Sequence, residues 1–113
     1  DPWYSFGSHD MLEVAHMGEH VGQMPDIDQM RQIFEAITTN GARVLGLEGY
    51  GLEPGCHADI VILQAGNTHD ALRLKPARLF VVRRGTVIAE TPKVVSRLEI
   101  GDESVEVDFR MNG

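Results

Sequence analysis

Hydrophobic residues recur at helical spacing in the first 48 positions of the chain and at strand-like spacing from about position 58 onward. A first helix is predicted over residues 11–24. Asp10 offers an N-cap and Glu13 follows three residues later, which is a capping-box-like signal, while Pro25 ends the helix.

The predicted first helix is amphipathic. One stripe at helical spacing is apolar and contains Val14, Met17, Val21 and Met24. The opposite stripe is polar and contains Glu13, His16, Glu19, His20 and Gln23. We therefore expect both histidines to face solvent.

A second helix is predicted to begin at the N-cap Asp26. Its apolar residues lie three and four positions apart and are Ile27, Met30, Ile33, Phe34 and Ile37. Asn40 and Gly41 provide the left-handed C-cap chemistry that ends it, and residues 42–47 add one or two further helical turns.

The run 49–63 joins the helical part to the strand-rich part. Glu53-Pro54-Gly55 predicts a tight turn, because proline presets φ and glycine accepts positive φ. The apolar run 60–63 predicts a central strand buried on both faces. Asp59 just before it is expected to bond its own turn rather than to act in catalysis.

The remaining chain predicts antiparallel strands after a single helical turn over 69–74. Arg84-Gly85 forms the turn of a hairpin between strands 79–83 and 86–89. Further strands are predicted over 94–100 and 105–109, around the turn 101–104, and the last strand should have one wet face. The fold class is therefore α+β, divided into 1–48 (helical) and 49–113 (strand-rich).

Composition excludes several functional classes. The 113 residues carry a net charge of −7, and positions 1–48 hold eight acidic but only two basic side chains, which argues against a nucleic-acid partner. The basic pair Arg83-Arg84 is expected to be solvated surface. No apolar run is long enough to span a membrane, and the lone Cys56 excludes an internal disulfide. These features predict a cytoplasmic location.

Two further patterns raise candidate chemistry. His16, Glu19 and His20 match H-x-x-E-H, the zinc pattern of inverzincin metalloproteases, in which a glutamate is the general base. We favour an exposed polar stripe, because those enzymes need a further carboxylate ligand and a large substrate chamber that 113 residues can hardly supply, and because both histidines lie on the predicted solvent-facing stripe. Trp3, Tyr4 and Phe6 form an aromatic loop that is expected to cover a neighbouring core.

The chain resembles the C-terminal part of cytosine-deaminase-like, metal-dependent amidohydrolases over nearly its entire length. The residues that carry this resemblance are Asp1-Pro2-Trp3-Tyr4, Met11-Leu12, His16-Met17-Gly18, His20-Val21, Ala42-Arg43, Leu47, Tyr50-Gly51, Gly55, 58–63, Gly85 and Val87-Ile88-Ala89. Glu19 departs from the apolar residue expected in that branch.

The resemblance implies helices from the end of a (β/α)8 barrel followed by strands of the amidohydrolase β-sandwich. It implies deamination of a pyrimidine- or triazine-type ring by a hydroxide bound to a divalent metal, zinc or iron. The family's H-x-H pair, later histidine and strand-ending aspartate have no counterpart here, so no catalytic or metal-binding residue transfers. Only Trp3 transfers, as a substrate-binding residue that stacks on the ring.

Two hypotheses follow. Either the chain is a segment of such an enzyme, partnered by the rest of the barrel and inactive by itself, or it is a stand-alone, non-catalytic, oligomeric interaction module. We expect the segment to form a homo-oligomer or to occur only within a larger assembly, because an apolar patch would otherwise be left uncovered. The residues of this patch are Val14, Met17, Val21, Ile33, Phe34 and Ile37.

Overall fold

A computed structural model describes residues 5–109 as an α+β chain with helices and antiparallel sheets. The elements are α1 (Met11–Val21), α2 (Ile27–Ala36), α3 (Thr39–Val44), β1 (Ile60–Leu63), α4 (Thr68–Leu74), β2 (Arg78–Arg83), β3 (Thr86–Glu90), β4 (Ser96–Ile100) and β5 (Glu103–Val107). None of the helices in this range is long and apolar enough to cross a membrane.

Helix α1 begins where the capping signal predicts and ends earlier than expected. The Asp10 carboxylate accepts a hydrogen bond from the backbone N–H of Leu12 at 2.8 Å. The helix stops at Val21, not at position 24, because Gly22 is the C-cap and Gln23 adopts a left-handed φ of 50°. The predicted end of the helix was therefore wrong by one turn.

The buried face of α1 is not the predicted one. Its buried residues are Leu12, Ala15 and Glu19, and His16 is half-buried. The residues of the predicted apolar stripe stay exposed within the described chain, with Val14 at 55%, Met17 at 41% and Val21 at 80%. The helix has apolar residues on two sides, and the narrower side with Leu12 and Ala15 packs against the neighbouring helices.

Helix α2 has the predicted N-terminus and a different C-terminus. Asp26 and Gln29 form a full capping box, in which each side chain bonds the backbone of the other residue. The helix ends at Ala36, and the Asn40-Gly41 pair predicted to end it lies inside α3. The left-handed residue that follows α3 is Gly46, with φ 63°.

A small core joins the helices to the strand-rich part of the chain. Leu12, Ala15 and Leu72 form its centre, and Leu72 of α4 is fully buried. The partly buried residues packed around them are Met30, Ile33, Phe34, Ile37 and Leu63. Ile33, Phe34 and Ile37 were expected from the sequence to be uncovered. For these three residues the expectation was wrong.

Strands β1, β2 and β3 form one antiparallel sheet in that order. The predicted hairpin is confirmed, and Arg84 and Gly85 take the positive φ values, 49° and 80°, of a type I′ turn. The prediction that β1 is central and buried on both faces was wrong. Within residues 5–109 it is an edge strand, because the strand order places β2 in the middle. Val61 and Ile62 are 50% and 46% exposed there.

Strands β4 and β5 form a separate two-stranded antiparallel sheet. The strand predicted over 94–100 begins at Ser96, and the one predicted over 105–109 runs from Glu103 to Val107. A single dry face was predicted for the last strand, yet Val105 and Phe109 are 53% and 56% exposed within the described chain.

The buried side chain of Gln64 bonds the segment that connects β3 to β4. Its Nε2 donates to the carbonyl oxygen of Val94 at 2.8 Å, and its Oε1 accepts from the Val94 N–H at 2.9 Å. The segment between β3 and β4 is thereby held beside the end of β1.

Candidate functional site

A cleft of the described chain lies between the loop 5–10 and the first two turns of α1. Its volume is about 640 Å³. Its lining residues are Ser5, Gly7, His9, Asp10, Met11, Glu13, Val14 and Met17. One wall is therefore apolar and helical, and the other is polar loop.

Asp10 is the best-anchored carboxylate at this cleft. Besides capping α1, it accepts a hydrogen bond from Arg78 at 2.9 Å and forms a second bond to the same guanidinium, so the pair is bidentate. The hydrogen bond from Arg78 is the main cause that lowers the pKa of Asp10, and burial opposes it. The pair joins the start of α1 to the start of β2.

Glu13 is the second carboxylate that lines the cleft. Its Oε2 accepts hydrogen bonds from the backbone N–H and the hydroxyl of Ser8, at 2.7 and 2.5 Å. These bonds lower the pKa of Glu13. Both carboxylates are therefore ionised near neutral pH, which suits them to hold the loop and makes them poor proton donors.

The loop itself has an unusual backbone. His9 adopts a φ of 59°, a left-handed value that residues with a side chain take less often than glycine. It lies directly before the capping residue, so the chain turns sharply into α1 at this point. His9 is one of the residues that line the cleft.

Trp3, the predicted substrate-binding residue, lies outside the described residues, as does Tyr4. Ser5, two positions after Trp3, already lines the cleft. Phe6, the third member of the predicted aromatic cover, is 90% exposed, so for this residue the expectation of burial was wrong.

The H-x-x-E-H pattern is not an exposed polar stripe. The Nδ1 of His16 donates to the carbonyl oxygen of Leu72 at 3.2 Å, and that of His20 donates to the His16 carbonyl at 2.7 Å. Glu19 is 6% exposed, and its Oε1 has no hydrogen-bond partner within residues 5–109. Only His20 of the three is exposed, so the expected orientation was wrong for His16 and Glu19.

The described residues do not fit a metal ion. Among positions 5–109, no group of three or more histidine, cysteine, aspartate or glutamate side chains is arranged to hold one. The two helical histidines already use their Nδ1 atoms for backbone contacts.

A smaller polar cleft of about 160 Å³ lies at the run 49–59. The predicted turn is confirmed, since Cys56 N–H donates to Glu53 at 3.0 Å and Gly55 has φ 96°. Gly49 approaches His57 so closely that an added Cβ would lie 2.6 Å from the ring, and its φ is 67°. Cys56 is a half-buried free thiol.

Asp59 fixes the tip of the β2–β3 hairpin beside this smaller cleft. Its Oδ1 accepts the backbone N–H of Arg84 at 2.7 Å, and its Oδ2 lies 3.8 Å from Arg83 and 3.6 Å from the Arg84 side chain. The hydrogen bond from the Arg84 backbone is the main cause that lowers the pKa of Asp59. Asp59 was expected to bond its own turn, and this was wrong. It bonds the β2–β3 turn, 25 positions away.

Sequence reasoning missed both of these anchoring pairs. Asp10 was identified as a cap, but Arg78 lies 68 positions away, and Arg84 lies 25 positions from Asp59. No local spacing signals such partners. The only hints for the first pair were that Asp10 is an acidic capping residue and that Arg78 is a basic residue at the start of β2.

Comparison with known proteins gives consistent matches. The model of the amidohydrolase family matches residues 1–95. A curated relative, the N-isopropylammelide isopropyl amidohydrolase of Pseudomonas sp. (strain ADP), is 33% identical over 97 residues, which are 85% of this chain and 24% of the relative.

Solved structures agree. The 5-methylcytosine deaminase of Klebsiella pneumoniae liganded with 5-fluorocytosine has a TM-score of 0.77 at 32% identity, over 91% of this chain and 25% of its own. The N-isopropylammelide isopropylaminohydrolase of Burkholderia multivorans has a TM-score of 0.74 at 34% identity, over 80% of this chain and 23% of its own. The chain therefore spans about a quarter of the length of these relatives.

Proposed function

Because this chain belongs to the amidohydrolase family, we propose that it is the C-terminal part of a metal-dependent hydrolase that cleaves an exocyclic C–N bond of a pyrimidine- or triazine-type ring. The observation that carries the proposal is the structural likeness to 5-methylcytosine deaminase over 91% of the chain at 32% identity. The N-isopropylammelide hydrolases support the same bond type on a related ring.

In this proposal the chain contributes ring binding and not the chemical step. Trp3, two positions before the cleft-lining Ser5 in the sequence, is the residue proposed to stack on the substrate ring. Asp10 and Arg78 act as positioning residues, because their bidentate pair holds the loop after Trp3 against the start of β2.

Positions 5–109 contain no suitable group of metal ligands. The metal of the proposed enzyme is therefore held by residues outside these positions. The chain alone is therefore proposed to be inactive. Its helices would come from the end of a (β/α)8 barrel and its strands from a β-sandwich, with the rest of the barrel packed on the exposed α1 stripe of Val14, Met17 and Val21.

The test is ammonia or amine release by the complete protein that contains this chain, with cytosine and aminated triazines as substrates. Trp3→Ala should raise KM about tenfold or more, because stacking on a planar base contributes on the order of 1–3 kcal/mol, and Trp3→Phe should restore part of the loss. The metal content should not change.

Phe6→Ala is the matched control, because Phe6 is an aromatic residue of the same loop and is 90% exposed. Its KM should stay within twofold of the parent. Hydrolysis by the 113-residue chain alone, or equal effects of the Trp3 and Phe6 changes, would contradict the proposed roles. No activity on either ring class would overturn the proposed substrate.

A further inference from the structure

Glu13 makes an unusual contact at the start of α1. It is the third helical residue after the N-cap Asp10, and an acidic side chain at this position ordinarily bonds the backbone N–H of the capping residue itself. Here its Oε2 accepts hydrogen bonds from the N–H and the hydroxyl of Ser8, two positions before the cap, at 2.7 and 2.5 Å. The side chain therefore reaches past the end of the helix to the loop 5–10.

The second helix shows the ordinary arrangement. In α2, Gln29 occupies the same position relative to the N-cap Asp26, and its Oε1 accepts from the Asp26 N–H at 3.4 Å. Asp10 caps α1 with its own carboxylate. The bonds that Glu13 accepts from Ser8 therefore act on the loop and not on the cap.

Two anchors thus hold the loop, one on each side of His9. Ser8 is bound by Glu13, and Asp10 is bound by Arg78 at the start of β2. His9 between them has a left-handed φ of 59°, a conformation that a residue with a side chain keeps where the surrounding contacts determine it. The two anchors together fix the direction in which the chain enters α1.

The bonds to Glu13 are charge-assisted. The hydrogen bond from the Ser8 hydroxyl is the main cause that lowers the pKa of Glu13, and the bond from the Ser8 backbone is the next. The charge of Lys75, the C-cap residue of α4, lowers this pKa further by a smaller amount. The carboxylate is therefore ionised at neutral pH, where hydrogen bonds to it are stronger than those between neutral groups.

We propose that Glu13 is a positioning residue for ring binding, because it holds the loop that follows Trp3. This inference rests on the proposed role of Trp3 in stacking on the substrate. Trp3 lies five positions before Ser8 in the sequence, and the cleft-lining residues Ser5 and Gly7 lie between them. Release of Ser8 would let this segment move relative to α1, so that a smaller fraction of the molecules would be ready to bind the ring.

Kinetics of the complete protein that contains this chain test the role, with cytosine and aminated triazines as substrates. Glu13→Ala should raise KM about threefold to tenfold and leave kcat within about twofold, because the change weakens ring binding and not the chemical step. In a Trp3→Ala background the same change should not raise KM further, since no indole is then left to position. Glu13→Gln should restore part of the loss, because its amide oxygen can still accept from Ser8.

Glu35→Ala is the matched control. Glu35 is an exposed glutamate of α2 outside the cleft, so its removal should leave KM within about twofold of the parent. Ser8→Ala removes only the hydroxyl bond and keeps the backbone bond to Glu13. It should raise KM by a smaller factor than Glu13→Ala, and it keeps the test valid should Glu13→Ala not fold.

Fluorine NMR separates this inference from the proposed function. In the complete protein labelled with 5-fluorotryptophan, the Trp3 resonance is identified by its loss in Trp3→Phe. Glu13→Ala should move this resonance toward the shift of free 5-fluorotryptophan, and Glu35→Ala should not, whether or not a ring is hydrolysed.

A Trp3 resonance that Glu13→Ala leaves unmoved would overturn the positioning role. So would a rise in KM that is equally large in the Trp3→Ala background, because it would show that Glu13 acts by another route. A moved resonance without hydrolysis of either ring class would contradict the proposed function and would support the role of Glu13 in holding the loop.

Discussion

At the scale of single residues, Asp10 makes two stabilising contacts. It caps α1 through the Leu12 N–H and also holds Arg78 of β2. A carboxylate that satisfies both needs is difficult to replace with a neutral side chain, because asparagine keeps the cap and loses the ion pair.

We predict that Asp10→Ala lowers the free energy of unfolding by about 1–3 kcal/mol, since it removes a cap and leaves Arg78 without its partner. Asp10→Asn should cost less than half as much. Urea titration measures both. Asp28→Asn is the control, because Asp28 and Arg31 are exposed at 77% and 65% and their pair should contribute little. Equal losses for Asp10→Ala and Asp28→Asn would contradict this account.

The same pair predicts a pH dependence of stability. The pKa of Asp10 is lower in the folded chain than its ordinary value of 3.8. Its contribution is therefore fully present above about pH 4 and is lost as pH falls through the lowered folded-state pKa. Unfolding titrations between pH 6 and pH 2 should show a steeper loss for the parent than for Asp10→Asn; parallel curves would exclude the pair as the cause.

Gly49 provides a second prediction at this scale. Gly49→Ala should destabilise the chain more than Gly46→Ala, since both have left-handed φ values but only Gly49 would bring a Cβ against the His57 ring. The Gly46 change should cost about 1–2 kcal/mol. In a double-mutant cycle, His57→Ala should remove the difference. An equal loss at both glycines would show that the ring moves away without cost.

At the scale of elements, local signals were sufficient to predict where most of them begin and turn. The caps Asp10 and Asp26 and the hairpin turn Arg84-Gly85 depend on residues within four positions of each other, so the sequence contains the needed information. The tight turn at 53–56 is predictable for the same reason.

The sequence-based predictions were wrong where residues far apart in the sequence determine the burial of a face or the order of strands. Helix α1 has two apolar sides, and only the position of α2 and α4 decides that Leu12 is buried while Val14 is exposed. The strand order that makes β1 an edge depends on pairings across about 20 residues. The link from Asp10 at the candidate cleft to β2 could likewise not be predicted, because Arg78 lies 68 positions away in the sequence.

At the scale of the whole molecule, the chain is more extended than a compact domain. Its radius of gyration is 16.6 Å, against roughly 13 Å for a globular domain of this length. The helical core and the β4–β5 hairpin share no extensive contact. Much of the apolar surface therefore remains exposed within the described chain.

We predict that the 113-residue chain by itself binds a hydrophobic dye strongly through the exposed α1 stripe. Changing Val14, Met17 and Val21 together to glutamine should reduce the dye fluorescence severalfold, since these residues are 55%, 41% and 80% exposed. In the complete protein the same triple change should lower the midpoint of thermal unfolding. If the triple change leaves the thermal stability of the complete protein unaffected, nothing packs on this stripe.

The amide side chain of Gln64 has the same donor and acceptor as a peptide group, and it bonds Val94 as a neighbouring strand would. This single residue thus holds the segment 91–95, which connects the two sheets along the chain, against the end of β1. Since the cleavage of a folded chain by proteases requires local release of the backbone, the susceptibility of this segment to nicking should depend on how tightly that one amide is held.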